Sequence, residues 1–319
     1  MNTEMAGHVL DERDGRLIAA LQCDGRVPAE RVAQVLGVPT RVVQRRWAEL
    51  LATGVVRVVA TPPRPSVDGV MLVRIRILRG KVEAVSQALA RRRDVPLVEL
   101  SASGDQVIAV VLPGADHPGS LLFEQLPTSG AVISVDAQTV IHVFSDAAEW
   151  TADYLSPQER GALTPAAARD GHATSVDDVD VAIAGALAAD GRRPAAAVAR
   201  EIGQPESTVR RRLAGLLESG QLITQVIIDP KLLGLPVDAD LRMQVPPGRL
   251  DETGRALAGH PAVHGAMVTT GPANLTVAVW LRSLGHLYQF ITRDLARLGV
   301  SNVDTLLIGR SVKRPAGTW

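Results

Sequence analysis

The sequence predicts an α+β protein in which one cassette occurs twice: a winged helix-turn-helix domain followed by a βαββαβ ferredoxin-like domain. Residues 10–59 align without a gap with residues 176–225, at a constant offset of 166. Each of these segments is followed by a proline-containing connector and about 75 residues in which strand-like and helix-like patterns alternate. A length of 319 residues allows two to four domains, so two complete cassettes fit.

The first half of each cassette predicts three short helices and a strand. Pro28 and Pro39 stand where proline is tolerated, at the start of a helix, and Gly37 and Gly54 end helices. Residues 55–60 form the predicted strand. Apolar residues recur at helical spacing on the face of each helix that we expect to be buried. They are Leu10, Leu17, Ile18 and Leu21, then Val32, Ala33 and Leu36, then Val43, Trp47, Leu50 and Leu51.

The outward face of the third helix is rich in arginine, and in a helix-turn-helix this helix enters the major groove of double-stranded DNA. Residues 37–57 carry a local charge of +3 within a chain of net charge zero, whereas residues 203–221 carry +1. Arginines at three consecutive helix positions cannot all face one groove, so Arg46 and Arg212 can also pack along the scaffold. The expected DNA contacts are Thr40, Arg41, Gln44, Arg45 and Arg46, and Ser207, Thr208, Arg210, Arg211 and Arg212.

The second half of each cassette predicts a sheet with two helices on one face. In the second copy, strands cover 239–245, 262–270, 274–281 and 303–311, with helices at 250–258 and 284–298. In the first copy, strands cover 71–78, 96–102, 106–112 and 131–143. A helix is expected at 82–90, and a second helix with a poor helical pattern is expected near 120–126. The uncovered sheet face must be buried, so we expect paired sheets, within a chain or in a homo-oligomer.

These patterns set the expected domain boundaries. The first cassette comprises a winged helix-turn-helix domain at 1–60 and a ferredoxin-like domain at 70–144. A linker rich in Ala, Asp, Pro and Gly follows at 145–175, with a short helix expected in its LSPQERGAL segment. The second cassette comprises domains at 176–229 and 237–314, and a tail occupies 315–319.

Composition excludes several classes of function. Nine aromatic residues are too few for stacking platforms that bind sugars or single strands. The single cysteine, Cys23, forbids an internal disulfide and fits a reducing compartment. We find no signal peptide, membrane segment, catalytic motif or metal-ligand spacing. The chain is therefore expected to be cytoplasmic, not an enzyme, and without a cofactor, metal or membrane partner.

The segments VDDVDVAIAGALAADGRRPAAAVAREIGQPESTVRRRLAGLLESGQL and TTGPANLTVAVWL, with weaker echoes in the first cassette, resemble the Lrp/AsnC (feast/famine) family of transcription regulators. The resemblance implies a fused tandem member with two sensor domains of the AsnC type, whose DNA binding is tuned by a small ligand such as an amino acid. It places that effector at the turn between the second and third strands, at a sheet-to-sheet interface. The matching positions are Thr269, Thr270, Gly271, Pro272, Ala273 and Asn274, and Ser101, Ser103, Gly104, Asp105 and Gln106.

The sequence departs from the family's pattern at two kinds of position. Many relatives carry aspartate where Asn274 stands, and serine where Pro39 and Pro205 stand. Two alternative functions remain open. One is a ligand-binding module that has lost DNA binding. The other is a siroheme decarboxylase, a class of enzyme that is also built from AsnC-like modules; it would draw on His260 and His264 in the segment HPAVH.

Overall fold

A computed structural model describes residues 10–63, 69–113, 121, 125–147, 149–165 and 176–314. Within these ranges the chain divides into two compact units, which we call unit 1 (residues 10–63 and 149–234) and unit 2 (residues 69–147 and 235–314). Part of the first connector, most of the helix expected near 120–126, residues 148 and 166–175 of the linker, and the tail at 315–319 lie outside the described residues. No helix in the described ranges has both the length and the apolar character needed to cross a membrane.

The predicted mixture of helices and strands is confirmed. The elements are, in chain order, α1 (Glu12–Cys23), α2 (Ala29–Leu36), α3 (Thr40–Ala52), β1 (Arg57–Thr61), β2 (Met71–Ile77), α4 (Val82–Ala90), β3 (Leu97–Ser101), β4 (Gln106–Val111), α5 (Leu126–Thr128), β5 (Val132–Ser145) and α6 (Pro157–Leu163). They continue with α7 (Asp178–Leu187), α8 (Ala195–Ile202), α9 (Glu206–Glu218), β6 (Ile223–Ile227), β7 (Val237–Gln244), α10 (Leu250–Ala258), β8 (Val263–Thr269), β9 (Leu275–Leu281), α11 (Leu284–Gln289) and β10 (Asn302–Lys313).

Unit 1 contains both three-helix segments. Gly37 and Gly203 end α2 and α8 with φ of 67° and 66°, a left-handed conformation that glycine adopts without strain. The strand that follows each third helix pairs with its counterpart in the other copy, and these two strands form an antiparallel sheet. Val59 lies opposite Gln225, and Gln225 is the residue of the second copy that is equivalent to Val59 at the offset of 166. The two copies are therefore related by a local two-fold axis through this pair.

A reciprocal contact between two arginines ties the copies together. Arg26 donates to the carbonyl oxygens of Gly191 and, at 3.1 Å, Arg193. Its equivalent, Arg192, donates to the carbonyl of Gly25 at 2.6 Å and lies 4.8 Å from the centroid of the Trp47 ring. Burial lowers the pKa of both arginines. The two equivalent loops thus satisfy each other's backbone acceptors, which fixes the separation of the two copies within unit 1.

The linker also packs in unit 1. The helix expected in LSPQERGAL is α6, which starts with a capping box between Ser156 and Glu159. Glu159 pairs with Arg16 of α1 at 2.5 Å, and Arg31 of α2 donates to the carbonyl of Ala162 at 2.6 Å. These contacts support only the first three-helix segment, which makes the two copies unequal.

Unit 2 is a closed barrel of eight strands in the order β10-β3-β4-β2-β5-β8-β9-β7. Each cassette contributes four adjacent strands, and the pairs β5–β8 and β10–β3 join the two halves. The cores lie between each half-sheet and its helices, and the core of the second half includes Leu241, Met243, Val277 and Phe290. The paired sheets that the sequence requires thus meet within one chain. The helix expected at 284–298 instead continues from α11 as a π-helical turn at Phe290–Asp294 and a 3-10 turn at Leu295–Leu298.

Candidate nucleic-acid interface

Head A is our name for five residues on the outward face of α3: the half-buried Thr40 and the exposed Arg41, Gln44, Arg45 and Ala48. Val43, Trp47 and Leu50 are buried on the opposite face and fix the helix against α1 and α2. Arg41, Gln44 and Arg45 are exposed, and the Arg45 side chain is 75% exposed, 4.0 Å from Glu49. Three long polar side chains thus extend from one exposed surface, an arrangement that suits contact with phosphates and base edges.

The solvent face of α9, head B, consists of Glu206, Ser207, Arg210, Arg211 and Ala214. Glu206 stands at the first position of the helix and forms an ion pair with Arg210 one turn later. Arg211 is exposed, and Thr208 is half-buried beside the buried Val209. The contacts expected from the sequence did not include Glu206. Its spacing of four residues before Arg210 predicts this ion pair on a helix and could have identified it.

Arg46 and Arg212 differ from the other expected contacts because both engage carboxylates of their own three-helix segment. Arg46 donates to both oxygens of Asp14 at 2.6 and 2.7 Å, and Arg212 donates to Asp177 at 2.7 Å and Asp180 at 3.1 Å. Hydrogen bonds to Asp14 raise the pKa of Arg46, and bonds to Asp177 raise that of Arg212. Each arginine therefore holds the third helix of its segment against the first helix. This structural role is additional to the DNA contact that the sequence predicts.

In the second half of unit 2, the turn expected to hold an effector is tied to its surroundings. Asn274 donates from Nδ2 to the Val245 carbonyl at 2.8 Å and accepts from the Val245 amide at 2.9 Å. The Thr270 hydroxyl accepts from the amide of Thr139 on β5, at 2.9 Å. Gly271 has φ of 102°, and a Cβ there would lie 2.9 Å from Gln138. Thr269 is buried and Pro272 is exposed, while Ala273 accepts a bond from the Thr269 hydroxyl.

The matching turn in the first half of unit 2 is closed by its own side chains. The Ser103 hydroxyl donates to Asp105 at 2.5 Å, and its oxygen lies 2.9 Å from the Ser101 hydroxyl oxygen, which accepts from the Gln106 amide at 3.1 Å. The bond from Ser103 lowers the pKa of Asp105. Gly104 adopts a φ of 71°. Asp105 is therefore a half-buried carboxylate that Ser103 holds beside the turn.

Charged residues inside the barrel were not anticipated from the sequence. Along β7, Ala239, Leu241 and Met243 face the helices, so the intervening residues point into the barrel. Among them, Asp240 has its pKa raised to about 6 by burial. Arg242 is 6% exposed and is ion-paired. The alternation of apolar and polar residues along β7 was visible in the sequence. The same alternation occurs when the polar face is open to water and when a second sheet encloses it, so it did not reveal the buried charges.

The two histidines of the HPAVH segment have structural contacts. The His260 ring accepts from the amide of Ala262 at 3.2 Å and packs edge-on against Phe290. The His264 ring stacks on Trp280 at 3.7 Å and lies 3.7 Å from Asp238. Burial lowers the pKa of His260. Both rings thus belong to the packing at the edge of the barrel.

Comparisons with known proteins follow the same division of the chain. The sequence-family model of the AsnC-type helix-turn-helix domain matches residues 10–51 and 176–217. The family model of the Lrp/AsnC ligand binding domain matches residues 239–317. A helix-turn-helix-type transcriptional regulator of Pyrococcus furiosus is 30% identical over 141 residues, which is 44% of this chain and 95% of the relative. The regulator FL11 of Pyrococcus horikoshii is 28% identical over 139 residues, which is 43% of this chain and 92% of the relative.

Among solved structures, the siroheme decarboxylase NirDL in complex with an iron-uroporphyrin III analogue shares the fold. The TM-score is 0.60 and the identity 16%, over 95% of this chain and 93% of the enzyme. The likeness concerns the fold alone, whereas the sequence relatives and the domain models agree on one family. The chain belongs to the Lrp/AsnC family, with its helix-turn-helix domain present twice.

Proposed function

We propose that the chain is a sequence-specific regulator of transcription that binds double-stranded DNA through heads A and B. The observation that carries this proposal is the pair of exposed, arginine-bearing third helices, which a local two-fold axis relates within unit 1. The curated relatives are named transcriptional regulators, which supports the same function. We place the protein in the cytoplasm, where a regulator meets its DNA.

Head A supplies the larger share of the phosphate contacts in this proposal. Its helix carries Arg41 and Arg45 without an acidic residue on the same exposed face near its start, whereas head B begins with Glu206. Each phosphate contact releases counterions, so it adds about 0.9 to the slope of log affinity against log salt concentration. Ser207, Thr208 and Arg211 complete the contacts proposed for head B, with Arg46 and Arg212 at the edges of the two surfaces.

The test is the affinity for the duplex upstream of the chain's own gene, measured by fluorescence anisotropy at several salt concentrations. The R41A/R45A variant is expected to bind more weakly, with a salt slope lower by about 2. The matched control is R293A/R297A, which removes two exposed arginines four residues apart in unit 2 and is expected to leave the slope unchanged. Equal slopes for wild type and R41A/R45A would remove head A from the interface, and no binding by wild type would refute the function.

The proposed effector site lies on the ferredoxin-like halves of unit 2, at the turns of residues 269–274 and 101–106. The match of residues 239–317 to a ligand binding domain supports it. Exposed backbone at Gly271 and Gly104 can approach a carboxylate closely. The DNA titration repeated with pooled amino acids tests this proposal: a shift in affinity supports an effector, and an unchanged affinity for every pool argues against an amino acid.

A second candidate, an enzyme acting on siroheme, is favoured only by the shared fold of NirDL. Its test is incubation of the chain with siroheme, followed by mass spectrometry of the tetrapyrrole. Loss of carboxyl groups that depends on His264 would replace the regulator proposal. Unchanged siroheme, together with DNA binding, would exclude the enzyme.

A further inference from the structure

We infer that the two heads read unlike half-sites: head A selects an adenine through Gln44, and head B selects a G·C pair through Arg210 and Glu206. This inference rests on the proposed function, because it names the DNA that the same two helices bind. It concerns which bases stand in each half-site, and it follows from the residues that differ between two otherwise equivalent surfaces.

Of the five positions that define each head, three differ between head A and head B. Where head A has Thr40, Arg41 and Gln44, head B has Glu206, Ser207 and Arg210. The equivalent pairs Arg45/Arg211 and Ala48/Ala214 are unchanged. Base preference is read by side chains that reach base edges, so these three positions, which include the long side chains of Gln44 and Arg210, can give the half-sites different sequences.

The amide of Gln44 is held in place by a residue that head B lacks. Its Nε2 donates to Glu30 of α2 at 3.3 Å, and the position equivalent to Glu30 in the second copy is Ala196. A primary amide has two N–H donors and one acceptor oxygen. Glu30 takes one donor, which leaves the other donor and Oε1 for the N7 and N6 edge of adenine, the pairing that glutamine makes in the major groove.

The ion pair of head B leaves a different set of groups for the DNA. Arg210 donates one Nη2 hydrogen to Glu206, and its side chain remains 72% exposed. A guanidinium has five donors, so the groups that remain suit the O6 and N7 acceptors of guanine. The Glu206 carboxylate, which repels phosphate, is an acceptor for the N4 amino group of cytosine. The pair as a whole therefore matches a G·C pair better than an A·T pair.

The local two-fold symmetry of unit 1 means that residues at equivalent positions of heads A and B can be compared directly. Val59 and Gln225 mark the local two-fold axis, and the bonds of Arg26 and Arg192 hold the copies at one separation. The two third helices are thus related by the same axis, so a duplex that contacts both is expected to meet each of them in an equivalent way. The bases selected on each side follow from the side chains of that head rather than from a different docking angle.

The experiment is a binding selection from duplexes with two randomised windows, carried out with the full chain. Wild type is expected to enrich duplexes with one window containing a fixed adenine and the other a fixed G·C pair. In the T40E/R41S/Q44R variant head A carries the residues of head B, so both windows are expected to select G·C. In the E206T/S207R/R210Q variant both windows are expected to select adenine. Thr40 is half-buried and the other substituted residues are exposed, so thermal melting is expected to match that of wild type.

Affinities for the selected duplexes then give the size of the effect. Replacing the preferred base pair in one window is expected to weaken wild-type binding roughly tenfold. Identical selected sequences in the two wild-type windows, or unchanged selection by both swapped variants, would overturn the inference. Both results still involve DNA binding, so they differ from an absence of any enriched duplex, which would instead contradict the proposed function.

Discussion

Arg242 on β7 donates to Asp136 on β5 at 2.8 Å, although these strands are not neighbours in the barrel. The residue opposite Arg242 in its own half-sheet is Asp304 on β10, and Asp304 binds Arg74 on β2. The residue opposite Arg74 is Asp136. Each arginine thus passes over the aspartate beside it and pairs with the aspartate of the other half. Two crossed ion pairs thus join the halves, each between a largely buried arginine and an exposed aspartate.

This geometry predicts that losing Asp136 harms unit 2 more than losing Arg242. Arg242 is 6% exposed and Asp136 60% exposed, so D136A leaves a buried guanidinium without its partner. We expect D136A to lower the local free energy of opening of β5 and β7 by about 1–3 kcal/mol. Hydrogen exchange of the amides in these strands measures this change.

The control for this prediction is the R242M variant, alone and combined with D136A. Methionine fills most of the same volume without a charge, and the Asp136 that remains is solvated. We expect the double variant to recover part of the protection that D136A loses. If D136A and R242M reduced protection equally, Arg242 would not depend on Asp136.

Sequence periodicity was sufficient for the local elements but not for the way in which the two halves combine. Val43, Trp47 and Leu50 marked the buried face of α3, and Gly37 marked the end of α2, because helix spacing and left-handed backbone are local properties. The closure of eight strands into one barrel depends on pairs such as β5–β8, which lie far apart in the chain. Burial of the uncovered sheet face was expected, but the sequence did not identify Asp240 and Arg242 as charged residues that it would enclose.

The candidate site shows the same division. The exposure of Arg41 and Arg45 follows from their place opposite the apolar stripe, and this was predictable. The engagement of Arg46 by Asp14 was foreseen only as one option, because a carboxylate 32 positions earlier has no periodic relation to the third helix. The contact of Arg26 with Gly191 needed the second copy to be placed in space.

The stability of unit 2 is expected to fall as pH rises, because of Glu99. This residue is buried, and burial raises its pKa to about 8. The unfolded chain loses the proton near the ordinary pKa of a glutamate, about 4.3, so the folded state binds more protons between the two values. Stability therefore decreases across this range, by up to about 1.4 kcal/mol per pH unit for one proton.

The E99Q variant is expected to flatten this pH dependence, since glutamine stays neutral. Thermal melting between pH 5 and pH 8.5 gives the comparison, with E252Q as the control because Glu252 is exposed. Parallel curves for wild type and E99Q would show that another group is responsible.

The reciprocal arginine contact predicts an effect on DNA that has two half-sites and not on DNA that has one. Without Arg26 and Arg192, the loops lose their mutual bonds, and the separation of the heads is fixed less tightly, by the β1–β6 pairing that remains. Binding of the second head then has a lower effective concentration. We expect R26A/R192A to weaken binding to a two-site duplex roughly tenfold and to leave single-site binding unchanged, as measured by anisotropy.

The matched control for the loop variant is R13A, which removes an exposed arginine of α1. If single-site binding fell as much as two-site binding, the arginines would act within each head, and the proposed coupling would be wrong.

Replacing Asn274 by aspartate is expected to destabilise this chain. The amide of Asn274 both donates to and accepts from the backbone of Val245. A carboxylate keeps the acceptor, but it loses the donor and places negative charge against the Val245 carbonyl. We expect N274D to lower the free energy of unfolding by about 1–3 kcal/mol in urea titrations. N274A loses both bonds without adding charge, so greater stability of N274A would identify repulsion as the main cost. If N274D were as stable as wild type, the pair of hydrogen bonds between Asn274 and Val245 would not contribute to stability.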